Sequence, residues 1–191
     1  MSIKQSDYET VLADYSDRSR IVSLLGQHRQ YLEMIPSMRR PTDSVISIPL
    51  PLAKVRNLRT VSGDNLSQVC LDEITPIPCD FAILMCDPEW KIKMGVEILV
   101  FIHRPDEDFS DLLRRWRQSQ IYLNKDYEWI MPTTEEHMFS DVAEEIRPLF
   151  IIFPQTPERI RKGLSGASLP YIEYTPESPI NENNLQSLVN N

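Results

Sequence analysis

The sequence predicts an α+β protein built as α/β-like layers: a mixed β-sheet of about five strands flanked by helices, with an N-terminal helical segment and an extended acidic C-terminal tail. Three observations carry this expectation. Residues 79–103 hold two runs that are apolar on successive positions, CDFAILMCD and IKMGVEILVFIH, joined by a turn at Pro88-Glu89-Trp90-Lys91. Runs of that kind mark central strands covered on both faces. Stripes of helical period lie on either side of the pair, which supplies the covering layers. From Ala167 onward the chain has no Lys or Arg and is rich in Asn, Pro and Glu, a composition that cannot bury enough apolar surface to order itself alone. The expected organisation is therefore a helical segment over 1–36, the mixed-sheet core over 37–166 and the tail over 167–191.

Each element has a local reason. Ser6-Asp7-Tyr8-Glu9 matches a capping box, and Tyr8, Val11, Leu12 and Tyr15 follow at helical spacing. A second helix is predicted from about Asp17, with Ile21, Leu24, Leu25, His28, Tyr31, Leu32 and Ile35 on one stripe that ends at Pro36. VISIPLPL (45–52) reads as an edge segment because proline donates nothing to a ladder. LRTVSG (58–63) and LSQVCLDEI (66–74) read as strands before the central pair. Asp106 and Asp108 then supply cap and first-turn charge for a helix whose core face is Phe109, Leu112, Leu113 and Trp116. YEWIM (127–131) is a short strand. Thr133-Thr134-Glu135-Glu136 offers another cap, for a helix carrying Met138, Val142, Ile146 and Leu149. LFIIF (149–153) is a buried strand, and Thr156-Pro157-Glu158 opens a last helix that Gly163 or Gly166 stops. Tyr171 and Tyr174 dock the start of the tail on the body.

The composition excludes several functions. Net charge is −8, with 20 Lys+Arg against 28 Asp+Glu among 191 residues, so the long-range field repels a phosphate backbone. Nucleic acid is expected only through a larger complex. The local basic group Arg114, Arg115 and Arg117 is placed on the outer face of its helix. No apolar run is long enough to span a bilayer and the N-terminus does not resemble a signal peptide, which points to a cytoplasmic setting. Cys70, Cys79 and Cys86 match neither a zinc nor a redox spacing and are expected to pack as small hydrophobes. Only five glycines are present and just Gly163 and Gly166 lie close together, so no phosphate-cradling loop exists. No motif calls for a cofactor.

The strand containing Glu97 raises the question of chemistry. The order helix–three strands–helix–strand over residues 17–131 resembles the core of the PD-(D/E)xK nuclease fold in element order. That resemblance implies an aspartate early in one strand and an acid-x-lysine triplet in the next, holding a divalent metal and steadying the attacking water. Asp80 and Glu97 stand where the two acids would, but the residue two after Glu97 is Leu99, so the triplet reads Glu-Ile-Leu. Lys93 shares the face of Glu97 at roughly 13 Å along a regular strand, too far to serve one water. Glu89-Trp90-Lys91 matches acid-x-lysine in a turn. As for other metal sites, His103 with Asp106, Glu107 and Asp108 reads better as dipole complement at a helix start, and His137 with Asp141 lies on a solvated acidic face. An unpaired carboxylate on a central strand would cost several kcal/mol, so Glu97 is expected at the rim of the sheet, with a structural pair to an arginine or a functional role as the alternatives.

The expected function is a non-catalytic protein-interaction module, such as an adaptor, assembly factor or immunity-type inhibitor, that uses an acidic surface toward another protein. A basic partner is its natural complement. The side chains assigned to contact are Tyr8, Leu25, His28, Tyr31, Arg114, Arg115, Arg117, Tyr171 and Tyr174. A metal-dependent nuclease, or a degenerate descendant of one, is the alternative.

Overall fold

The computed structural model describes residues 3–61, 67–90, 92–131, 143 and 145–175, and for 57–61 and 67–71 it describes the backbone. Helices α1 (Gln5–Asp14), α2 (Arg18–Gly26) and α3 (Arg29–Leu32) come first, followed by strands β1 (Val45–Pro49), β2 (Leu52–Val61), β3 (Ser67–Pro76), β4 (Phe81–Cys86) and β5 (Lys93–Ile102). Helix α4 (Phe109–Leu123), β6 (Tyr127–Trp129), β7 (Glu145–Ile152), α5 (Glu158–Gly166) and β8 (Tyr171–Glu173) complete the described chain.

A five-stranded mixed sheet runs in the order β1-β4-β5-β7-β8. Its first three strands are antiparallel neighbours, while β5, β7 and β8 are parallel and need crossovers, which α4 with β6 and then α5 supply. The central strands are apolar throughout because both faces are covered. On one face Phe81, Ile83, Ile98, Val100 and Ile102 meet Val11, Ile21, Leu24 and Leu25 of the N-terminal helices. On the other, Ala82, Leu84, Leu99, Phe101 and Phe150 meet Leu112 and Trp116 of α4 and Ile160 and Leu164 of α5. The predicted layered α+β architecture is thus the observed one.

A second sheet, β3-β2-β6, adds to this second face. The expectation of one sheet missed it. Strands β2 and β3 form a long hairpin inserted between β1 and β4, which pair with each other. Alternation decides how the hairpin sits. Ala53 and Val55 point into the second core with Tyr127 and Trp129, while Leu52, Lys54 and Arg56 point out. A positive φ at Leu50 (45°), between Pro49 and Pro51, marks the corner where the chain changes sheet.

Three boundaries differ from the sequence reading. Helix α1 starts two residues earlier than the Ser6 box: Lys4 is the cap, and its backbone N–H donates to Asp7 at 2.9 Å. The predicted long second helix breaks at Gln27–His28, where His28 turns extended and caps α3. That break aims Tyr31 at the sheet, so its hydroxyl donates to the carbonyl of Pro148. Residues 145–148, expected at the end of a helix, are strand, because they continue the parallel ladder against β5. The preceding part of that helix, including His137 and Asp141, lies outside the described residues. Among the described residues no helix is long and apolar enough to cross a membrane.

Candidate functional site

The two acids singled out by sequence are both fully buried, and each organises a separate cluster. Asp80 precedes β4. Register extended from the Phe81–Val100 pair sets it beside Phe101, whereas Glu97 lies opposite Leu84. Four residues of strand, roughly 13 Å, divide them. Two carboxylates so placed do not ligate one ion, and among the described residues no group of three His, Cys, Asp or Glu side chains forms a metal cage.

Asp80 sits where the end of the sheet meets both helical layers. Its Oδ1 accepts from the Tyr8 hydroxyl of α1 at 2.9 Å and from Arg104 Nη2 at 2.7 Å. Its Oδ2 accepts from the Ile102 backbone N–H at 2.7 Å and from Arg115 Nη2 of α4. Four donors on two oxygens compensate this carboxyl group for the water it loses on burial. Arg115 is correspondingly interior, a correction to its expected place on the outer helix face. It also donates to the carbonyls of Pro78 and Ile102 at 3.1 Å each and pairs with Glu107 at 3.2 Å. Its guanidinium lies over the Phe101 ring, 5.5 Å from the centroid. Burial, followed by the Asp80 charge, pushes the Tyr8 hydroxyl up to about 12, so it remains a donor.

His103 braces the turn that follows. Its Nε2 lies 2.9 Å from the Glu107 carbonyl, which can only accept, so Nε2 carries the proton. Its Nδ1 then accepts from the Thr156 hydroxyl at 2.9 Å, and Thr156 Oγ1 accepts from the Phe153 N–H at 2.9 Å. This neutral tautomer agrees with the His103 pKa, which burial lowers. Asp106 takes a positive φ of 60° inside the same turn. Of the two acids expected at the start of α4, Asp108 is the cap and accepts from the Asp111 N–H at 3.0 Å, while Asp106 stays in the preceding turn.

Glu97 is not at the rim. Its carboxylate accepts from the Tyr127 hydroxyl at 2.7 Å and the Trp129 indole N–H at 3.0 Å, and it pairs with Lys93. Lys93 reaches it because the strand is not regular. Register shifts between Leu84 and Cys86, so the four-residue step from Lys93 to Glu97 spans only two residues of β4, roughly 7 Å. Gly95 lies within this bulge. Burial and then the Glu97 charge raise the Tyr127 pKa, which keeps that hydroxyl protonated. The alternating Tyr-Glu-Trp of β6 was the available signal, since it puts two aromatic donors on one face.

Among the residues assigned to contact, Tyr8, Leu25, Tyr31 and Tyr174 are buried, so they pack inside the fold. Tyr174 donates to Asp14 at 2.7 Å and thereby docks the tail as expected. His28 and Tyr171 are half-buried, and the His28 ring lies against Tyr31, 4.9 Å between centroids. Arg114 and Arg117 are exposed, with Arg114 paired to Asp111 at 2.5 Å. Cys79 and Cys86 are packed in the second core, and burial raises the Cys79 thiol well above its ordinary range.

What reaches solvent is a different set. On the outer face of β3-β2-β6, Leu52 is flanked by Pro76 on β3 and by Ile130, whose N–H donates to the Leu52 carbonyl at 3.0 Å. Ile74 stands diagonally across, and Leu50 lies earlier in the chain, at the corner between the sheets. Ile74 is 64% exposed and Leu50 56%. Beside them Asp72 bridges Lys54 at 3.1 Å and Arg56 at 3.7 Å. A second exposed group, Trp90, Ile92 and Met94, lies at the β4–β5 turn, where Asp87 Oδ1 fixes the loop by accepting from the Glu89 and Trp90 N–H groups. No family model, curated protein or solved structure matches the chain.

Proposed function

We propose that this chain is a non-catalytic protein-interaction module, an adaptor, assembly factor or inhibitor-type binder, that meets its partner on the outer face of the small sheet. The observation that carries the reading is the apolar group Leu52, Ile74 and Ile130 on one sheet face, set among charged side chains. Exposed apolar groups gathered on one face and rimmed by polar side chains are often functional. The committed state of the interior acids supports the same reading. Asp80 and Glu97 hold four and three donors respectively, so each buried carboxyl group is taken up mainly by partners within the fold.

The test is reconstitution. A tagged full chain should retain a protein that, once purified, forms a complex of fixed stoichiometry with it by sedimentation and calorimetry. The reading fails if no such complex forms and the chain cleaves nucleic acid in Mg²⁺ or Mn²⁺ with loss of cleavage in Glu97→Gln.

A further inference from the structure

We propose that His103 is an acid-sensitive latch: taking up a proton opens the turn between β7 and α5 and releases the edge strand β8 from the large sheet. The ring sits at a joint that only its neutral form completes. His103 and Thr156 are both buried, and their contact ties the end of β5 to the turn after β7. With Nε2 donating to the Glu107 carbonyl, Nδ1 accepts the Thr156 hydroxyl hydrogen. Thr156 Oγ1 accepts from the Phe153 N–H, and the Thr156 N–H donates back to the Phe153 carbonyl, both at 2.9 Å. Among the described residues this oxygen has no other hydrogen-bond partner. A proton on Nδ1 therefore sets two hydrogens against each other, and the displaced hydroxyl hydrogen has no acceptor waiting.

The surroundings do not hold an imidazolium. Glu107, in the turn after β5, already pairs with Arg115 and accepts from the Arg104 backbone N–H. Arg115 acts on the ring from α4, Arg161 stands on the α5 side of Thr156, and Asp80 is bonded to Arg104 and Arg115. Burial, the largest influence on the ring, also opposes the charge. The opening spreads to β8 through Arg161. Its Nη2 donates to the Phe153 and Pro154 carbonyls at 2.8 and 3.2 Å, its Nε donates to the Thr156 carbonyl at 3.4 Å, and its Nη1 pairs with Glu173 of β8. One guanidinium thus holds the turn and the strand together. Strand β8 is three residues long and lies at the sheet edge, where local opening costs least. When it lifts, Ile172 and Tyr174 leave the core and the edge of β7 from Phe150 to Ile152 lies bare.

Hydrogen exchange of the full chain between about pH 7 and about pH 4.5, corrected for intrinsic rates, tests the latch. Opening takes up one proton, so the open fraction should rise by up to about tenfold for each pH unit below about 6.5. The Phe150, Phe153, Thr156 and Tyr174 amides, bonded within the turn or across to β8, should lose protection by at least about fivefold, while those of β4 stay unchanged. His103→Gln, which keeps a donor for the Glu107 carbonyl and does not titrate here, should abolish the step. Thr156→Asp should reverse its sign, because a carboxylate accepts from a protonated Nδ1 and from the Phe153 N–H, so the turn closes more firmly in acid. Glu173→Gln and Asp14→Asn, which neutralise the other acids holding β8, should leave the step in place. Absence of a step in wild type would overturn the proposal, as would a step that persists in His103→Gln or vanishes in Glu173→Gln. An unchanged sign in Thr156→Asp would do the same. So would equal loss of protection in β4 and β8 at one pH, which is unfolding of the whole chain; if Thr156→Asp does not fold, His103→Gln decides.

Discussion

Replacing Asp80 by Asn tests whether the carboxylate at the sheet end is a fastener. The change keeps the volume and removes the charge that two guanidinium groups face. Two of its four hydrogen bonds come from neutral donors, Tyr8 and the Ile102 N–H, worth about 1 kcal/mol each, and two are charge-assisted, worth about 1.5–3 kcal/mol each. The gross loss of about 5–8 kcal/mol is not fully felt. The Arg104 side chain is 42% exposed and can turn to water, Arg115 retains Glu107 and two carbonyls, and the Asn oxygen still accepts. A net cost of about 3–4 kcal/mol remains, in line with breaking a buried pair from one side. For a chain of this length that is a fall in Tm of roughly 10 °C. Urea denaturation followed by far-ultraviolet circular dichroism at neutral pH measures it, with the exposed Asp43→Asn as the control, expected within about 0.5 kcal/mol. A loss below about 1 kcal/mol for Asp80→Asn would refute the structural role and reopen a functional one.

The other expectations concern the second cluster, the histidine and one close helix contact. Lys93→Met should cost about 3 kcal/mol by leaving Glu97 with neutral donors only, and adding Glu97→Gln should restore part of it; a double variant less stable than both singles would contradict the pairing. His103 is held below its ordinary pKa by burial, with Glu107 and Arg115 the charged groups about it, so the unfolded chain takes up the proton first as pH falls. Its contribution is therefore complete above about pH 6.5 and lost as pH drops toward the folded value, and His103→Gln should flatten that part of the stability–pH curve measured by denaturant titration. Gly163→Ala should destabilise by about 1–2 kcal/mol even though alanine favours helix, because its Cβ would lie 2.8 Å from the Phe109 ring; a gain in thermal stability would show that α4 and α5 part easily.

The central strands and the cap at Asp108 were legible because each depends on neighbours in sequence. Covered strands show as unbroken apolar runs, and a cap shows as one polar residue before a periodic stripe. The small sheet was not legible, since Leu52, Pro76 and Ile130 are brought together by a hairpin whose destination no local pattern encodes. Lys93 was misjudged for a related reason. A bulge halves the length of strand between it and Glu97, and periodicity arguments assume that no such irregularity exists. Arg115 was misread because a charged side chain at an otherwise plausible surface position is normally solvated. Only the presence of Asp80, thirty-five residues earlier, turns it inward.

The two acid clusters also explain how an exposed platform is kept rigid. Asp80 joins α1 on one face of the large sheet to α4 on the other through the sheet's own end. Glu97 holds β6 to the large sheet by two aromatic donors, and β6 in turn pairs with β2 at Ala53 and Val55. The sheet whose outer face carries Leu52 and Ile74 is therefore tied on its inner side to a buried carboxyl group through Tyr127 and Trp129. Loosening Glu97 should weaken a partner at that face without touching it. Removing Asp80, which anchors the helices, should lower stability while leaving affinity of the folded protein unchanged. Measuring both variants against one partner separates the two effects: equal losses of affinity would mean that the small sheet is not anchored independently through Glu97, and the platform argument would fall.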